Sequence, residues 1–153
     1  MKIYSSEEMI EFGKLIGTYL KMGDCLLLKG SLASGKTTFT KGIGKALHID
    51  KVINSPTFNI LKIYEGKIPL YHIDAYRLEN NDYDLGLDEH KDEVITVIEW
   101  PEYYNNLPNE YLEISFEYVD ENIRQIRLVP KGERYKTLLA DILPIINERG
   151  MEI

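Results

Sequence analysis

Two glycines five residues apart, a lysine and a threonine stand in one unbroken run, Gly30-Ser31-Leu32-Ala33-Ser34-Gly35-Lys36-Thr37. The run matches G-x-x-x-x-G-K-[ST], and each fixed position has a task in holding a nucleoside triphosphate. Glycines let the backbone turn so that successive N–H groups point inward at phosphate oxygens. A helix opening near Lys36 offers its positive end to the same anion. The Lys36 ammonium reaches the β- and γ-phosphates and the Thr37 hydroxyl ligates Mg2+. Thr38 follows in the same turn and completes the run of candidate nucleotide-contacting positions.

Such a loop binds phosphates without choosing a reaction. Hydrolysis or transfer also needs an acid at a strand end, to hold the metal or its waters, and a group that orients the attacking oxygen. Two apolar runs end in acids: LYHID, with Asp74, and VITVIE, with Glu99. A guanine-specific switch protein is disfavoured, because neither N/T-K-x-D nor D-x-x-G occurs. A small-molecule kinase and a non-catalytic ATP-dependent switch remain as alternatives. The kinase is the first of these alternatives and the switch the second; against the kinase, arginines are few (Arg77, Arg124, Arg127, Arg134, Arg149), and the middle of the chain, where an arginine-rich lid would sit, is acidic.

These residues need a scaffold, and hydrophobic periodicity supplies its outline. Ser5 followed by Glu8 reads as a capping box, and Met9, Phe12, Ile16 and Leu20 recur at helical spacing, which predicts a helix over 6–21. Cys25–Lys29 reads as a buried strand entering the glycine loop, and 36–47 as the helix leaving it. Asn59–Glu65 and Leu70–Arg77 predict an antiparallel hairpin. Residues 79–93, ENNDYDLGLDEHKDE, predict an acidic surface loop with a single helical turn. Val94–Trp100 is a second buried-strand run, Tyr111–Tyr118 and Ile123–Val129 a second hairpin, and Glu133–Asn147 a final helix that Pro144 should kink or end. Strands and helices interleave, so the fold class is α/β, with a mixed central β-sheet flanked by helices.

Composition sets the limits. The 153 residues carry a net charge of −7, one cysteine and no repeat or linker, so a single domain over 1–153 is expected. The acidic balance disfavours direct, tight binding to DNA or RNA, which draws on Lys and Arg. No window resembles a membrane span and the N-terminus lacks the apolar stretch of a signal peptide, so a soluble, cytoplasmic protein with no membrane partner is expected. Cys25, flanked by leucines, reads as a buried structural thiol.

Taken in order, the glycine loop, Ser55-Pro56-Thr57-Phe58, His72-Ile73-Asp74-Ala75-Tyr76-Arg77-Leu78, Asp84-Leu85-Gly86-Leu87-Asp88-Glu89 and Ile98-Glu99-Trp100 resemble the TsaE (YjeE) family of bacterial ATPases over nearly the whole chain. The resemblance implies a P-loop NTPase-like three-layer sandwich and a weak, partner-stimulated ATPase that uses ATP and Mg2+. It further implies a role in threonylcarbamoyladenosine modification of tRNA, exerted on a TsaB–TsaD pair, with tRNA met only through those partners. On this chain it lays the phosphates and metal on Lys36 and Thr37, and metal or water positioning on Glu99 and Asp74. It places Trp100 beside the nucleotide, Thr57 in a loop that senses the γ-phosphate, and Arg124 near phosphate. The family's usual loop is G-D-L-G-A-G-K-T. Here Ser31 replaces the acid, Ala33 the middle glycine and Ser34 the alanine; the generic pattern leaves all three positions free, and the missing acid bears on turnover.

Overall fold

The computed structural model describes residues 1–54, 60–78 and 87–149. Strand β1 (Lys2–Ile3) leads into α1 (Ser6–Tyr19), then β2 (Cys25–Gly30), α2 (Lys36–Ala46), β3 (Leu61–Tyr64) and β4 (Leu70–Asp74). A 3-10 turn (Ala75–Leu78) and the short α3 (Leu87–His90) precede β5 (Ile95–Glu99). A second 3-10 turn (Pro101–Tyr103), β6 (Tyr111–Tyr118), β7 (Arg124–Lys131) and α4 (Glu133–Glu148) complete the described elements. The expected helices and both hairpins are present within a few residues of their predicted bounds. The short β1, which pairs with β7, carries too few residues to show in a periodicity.

The strands form one sheet in the order β1-β7-β6-β2-β5-β4-β3. Its centre, β6-β2-β5-β4, is parallel, and β3, β7 and β1 add antiparallel edges. The central runs CLLL and ITVI are apolar on every residue or nearly so because both faces of a parallel sheet are covered. Leu26, Leu28, Ile95 and Val97 face one apolar cluster, while Cys25, Leu27, Ile73 and Ile98 face another. The first cluster takes in Phe12 and Ile16 of α1, Phe39 and Ile43 of α2, and Leu138, Ile142 and Ile146 of α4, so the three long helices share one face of the sheet. The layer on the opposite face includes Ala75 and Leu78 of the first 3-10 turn, with Tyr103, Tyr104 and Leu107.

Helices α1 and α2 meet backbone to backbone. A Cβ added at Gly13 would collide with the Phe39 carbonyl oxygen, and one at Gly42 with that of Ile10. Two glycines therefore set how closely α2, which begins at Lys36, lies against α1. The α1 cap has the predicted residues: Ser5 Oγ accepts from Glu8 N at 3.1 Å, while the Glu8 carboxylate accepts from Tyr4 N at 3.0 Å.

Helix α4 is tied to the start of β2. Arg134 donates to both oxygens of buried Asp24, at 3.0 and 2.8 Å, and the Cys25 N–H donates to the Tyr135 hydroxyl at 2.8 Å. Cys25 is buried as expected; burial, aided by the Asp24 charge, pushes its thiol pKa up to about 12. Pro144 does not end α4, which runs on to Glu148. Both Pro144 and Ala140, whose carbonyl loses its helical donor, lie on the exposed side, so water can take that bond.

Candidate functional site

The glycine loop lies where the parallel strands end. β2 finishes at Gly30, the chain crosses 31–35, and Lys36 opens α2. Its seat is tight. A Cβ at Gly30 would stand 2.6 Å from Ser34 Oγ and 2.7 Å from the Phe116 carbonyl oxygen. Gly35 takes a left-handed φ of 110°, as the turn into α2 requires. Ala33 also has a positive φ, 62°, with a side chain that makes this conformation costly.

The Lys36 ammonium donates to the Gly30 carbonyl at 2.7 Å, stands 3.9 Å from Glu99 Oε1 and lies 4.1 Å above the Trp100 ring. Burial pulls its pKa below the usual lysine value; the charges of Glu99, Asp74 and Glu102 act against that pull. Desolvation weakens its hold on the proton, so a phosphate that brings negative charge to this amine improves its environment.

Both predicted acids arrive at the same end of the sheet. Asp74 is the register partner of Glu99 across β4 and β5, and Leu28 is the partner of Glu99 on β2. Alternation along the strands puts Asp74 and His72 on the side of Leu70, and Glu99 on the side of Val97, which is the face covered by the long helices. Glu99 is only 4% exposed. Its Oε2 lies 2.5 Å from His72 Nε2, and its Oε1 is the oxygen nearer Lys36. Asp74 is half-buried, and its Oδ1 accepts from Tyr76 N at 3.0 Å.

Trp100 turns the chain at the end of β5 with a φ of 56°, a left-handed backbone that bulky residues rarely adopt. Tyr76 meets its ring edge-on at 5.2 Å and Tyr103 lies at 6.3 Å, making an aromatic wall beside Lys36. On the other side, Arg124 at the start of β7 donates to the Ala33 carbonyl at 3.3 Å and to the Asp120 carbonyl at 2.7 Å, with its guanidinium 4.6 Å from the Tyr118 ring centre.

The walls enclose a cleft of about 700 Å3. Leu32, Ala33, Ser34, Gly35, Lys36, Thr37 and Thr38 line it together with Asp74, Glu99, Trp100 and Arg124. Gly30 contributes through its carbonyl on Lys36, and exposed Ser31 through its carbonyl, which accepts from Ser34 N at 3.2 Å. Thr57 lies outside the described residues, as do the rest of Ser55–Phe58 and the 79–86 part of the acidic segment. Ser5, Ser6 and Met9 at the start of α1 and Glu121 and Asn122 in the β6–β7 turn also line the cleft; the sequence gives Ser5 and Met9 a part as helix cap and helix face, and none of the five a place in a site. Nothing in their own types marks them; they arrive by packing. His72 stands two residues before Asp74 in LYHID, a spacing that places both on the same strand face.

Among the described residues, no group of three or more His, Cys, Asp or Glu is placed to hold a metal ion. The Thr37 hydroxyl and the Asp74 and Glu99 carboxylates are hard oxygen donors in one cleft, a set suited to Mg2+ that keeps water or phosphate oxygens as its other ligands.

A profile of the family described as "Threonylcarbamoyl adenosine biosynthesis protein TsaE" matches residues 3–126. The chain belongs to the TsaE family. The TsaE match takes in the glycine loop, Asp74, Glu99, Trp100 and Arg124, and ends within β7. The chain is 41% identical over 139 residues to the tRNA threonylcarbamoyladenosine biosynthesis protein TsaE of Bacillus subtilis, covering 89% of this chain and 88% of that one. It is 40% identical over 141 residues to the TsaE protein of a Nostoc species, covering 88% and 87%. The crystal structure of Bacillus subtilis YdiB superposes with a TM-score of 0.82 at 34% identity, covering 95% of this chain and 93% of that one. The mixed seven-stranded sheet is thus a P-loop fold of the TsaE kind. Among the described residues, no helix is long and apolar enough to cross a membrane.

Proposed function

We propose that this protein binds ATP with Mg2+ in the cleft and hydrolyses it, as the ATPase subunit required for threonylcarbamoyladenosine modification of tRNA. One observation carries the reading. Asp74 and Glu99 stand side by side at the ends of adjacent parallel strands, and both line the cleft of the loop that carries Lys36. The relatives named as tRNA threonylcarbamoyladenosine biosynthesis proteins supply the biological setting.

In this reading the backbone N–H groups of 31–37 and the start of α2 hold the phosphates. Lys36 exchanges the Gly30 carbonyl for phosphate oxygens. Thr37, with Asp74 or Glu99, holds Mg2+, which neutralises phosphate charge when bound. Glu99, nearly buried and able to accept a proton or a hydrogen bond, orients the attacking water. Trp100 and Tyr76 shield one side of the phosphate site, and Arg124 braces the loop from the other. Thr57 is assigned to γ-phosphate sensing on the family resemblance alone.

The protein works in the cytoplasm on a TsaB–TsaD pair, and tRNA is reached through those partners and not directly. A net charge of −7 suits docking on protein more than on RNA. The test is ATP hydrolysis by the protein with and without its TsaB–TsaD pair, with Glu99→Ala as control. Weak turnover alone, raised by the partners and lost in the variant, is the expected result. Absence of stimulation by the partners would overturn the partner-gated mechanism.

A further inference from the structure

The Glu99 carboxylate is buried, and a buried carboxylate must be paired or hydrogen-bonded to remain charged. Two groups meet it: Lys36 Nζ, 3.9 Å from Oε1, and His72 Nε2, 2.5 Å from Oε2. Their bonds elsewhere differ. Lys36 is on a flexible stem and is also held by the Gly30 carbonyl, a position it leaves if it is to reach phosphate. His72 is fully buried in β4, between Tyr71 and Ile73, and its Nδ1 has no hydrogen-bond partner among the described residues. A ring with an unpartnered Nδ1 and a carboxylate against Nε2 carries its proton on Nε2 and donates it.

We infer that His72 is the positioning residue of this site: its Nε2–H holds Glu99 Oε2 in place from within the sheet and leaves Oε1 presented to the cleft. The inference rests on the proposed hydrolysis. When Lys36 turns to phosphate, the His72 bond is the contact of this pair that stays with Glu99, because β4 and β5 are locked in register through His72–Val97 and Asp74–Glu99. One carboxylate oxygen is therefore fixed and the other is free to act, which keeps the acid in a single orientation through the cycle. The effect of losing such an outer support is about ten- to a hundredfold in activity.

The variants that test this are His72→Leu, which removes the donor while keeping an apolar side chain in a buried position, and His72→Gln, whose amide Nε2–H reaches toward the same point. Each is compared with wild type by thermal melting, by ATP–Mg2+ affinity read from Trp100 fluorescence, and by kcat and KM with the partner pair present. The expected result is a kcat about ten- to a hundredfold lower in His72→Leu, with affinity and KM within about threefold. His72→Gln should recover most of the rate, and His72→Leu should cause no further loss in a Glu99→Gln background. A folded His72→Leu protein with wild-type kcat overturns the inference alone. So does equal loss in Leu and Gln variants that both melt like wild type. Should His72→Leu fail to fold, His72→Met, which also lacks the donor, takes its place: a folded His72→Met protein must show the same loss of kcat, and wild-type kcat in it overturns the inference. Wild-type protein that binds ATP–Mg2+ with no turnover overturns the hydrolytic reading, and this inference with it.

Discussion

Asp74 and Glu99 are register partners across β4 and β5, but they are held differently. Glu99 is buried between Lys36 and His72, whereas half-buried Asp74 accepts from the backbone N–H of Tyr76. Under the proposed hydrolysis, this difference leads us to propose that the buried acid orients water and the half-exposed one holds metal or its waters. Glu99→Gln should lower kcat by about two to three orders of magnitude with little change in the Mg2+ concentration needed. Asp74→Asn should raise that concentration and lose less rate at saturating Mg2+. Hydrolysis measured across a Mg2+ titration separates the two, and the reverse pattern would exchange their roles.

Ala33 sits at φ 62° in the loop, at the position where the family resemblance expects glycine. The left-handed conformation costs a residue with a Cβ about 1–2 kcal/mol, and glycine loses part of that gain through its freer unfolded chain. Ala33→Gly should therefore stabilise the protein by about 0.5 kcal/mol. Arg124 binds the Ala33 carbonyl and so loses nothing. A urea midpoint that rises at unchanged slope is the expected observation.

Gly42 lies in the interior of α2, where alanine is favoured by about 1 kcal/mol on helix propensity. The Ile10 carbonyl leaves no room for a Cβ there. Gly42→Ala should destabilise by about 2 kcal/mol or more as α1 and α2 are forced apart. Because α2 opens with Lys36, nucleotide affinity should fall as well. A stabilised variant would mean that the helices can separate without cost.

Cys25 gives a pH dependence of definite sign. Its pKa rises from 9.0 to about 12 on folding, through burial first and the Asp24 charge second. Between those values the unfolded chain has lost a proton that the folded one keeps, so stability is full below pH 9 and declines toward about pH 12. The slope from this group is at most about 1.4 kcal/mol per pH unit. Tyr135, whose pKa is also raised by burial, adds a decline of the same sign at higher pH. Cys25→Ala should flatten the curve above pH 9 in denaturant titrations. The native thiol should also react slowly with iodoacetamide at pH 8, and rapidly once unfolded.

The parts of this protein that depend on local rules are legible in its residues. Phosphate binding by backbone N–H groups needs glycines at fixed offsets before a lysine, so Gly30, Gly35 and Lys36 declare the loop by themselves. Strands buried on both faces must be apolar without a break, so CLLL and VITVI declare the centre of the sheet, and the acids that end such runs declare Asp74 and Glu99. Helix faces follow from spacing in the same way.

What no local rule contains is which strand lies beside which. Only the order β6-β2-β5-β4 sets Asp74 next to Glu99 and puts both by the loop. Only packing brings Ser5, Met9 and Arg124, remote in sequence, to the walls of the cleft. The contact of His72 with Glu99 spans 27 residues and exists because β4 and β5 share a register. The division of the three long helices to one face, with 3-10 turns on the other, was likewise settled by the sheet. Chemical type is a property of each residue, but proximity between distant residues comes from burying both faces of one sheet at once, and that is a property of the whole chain.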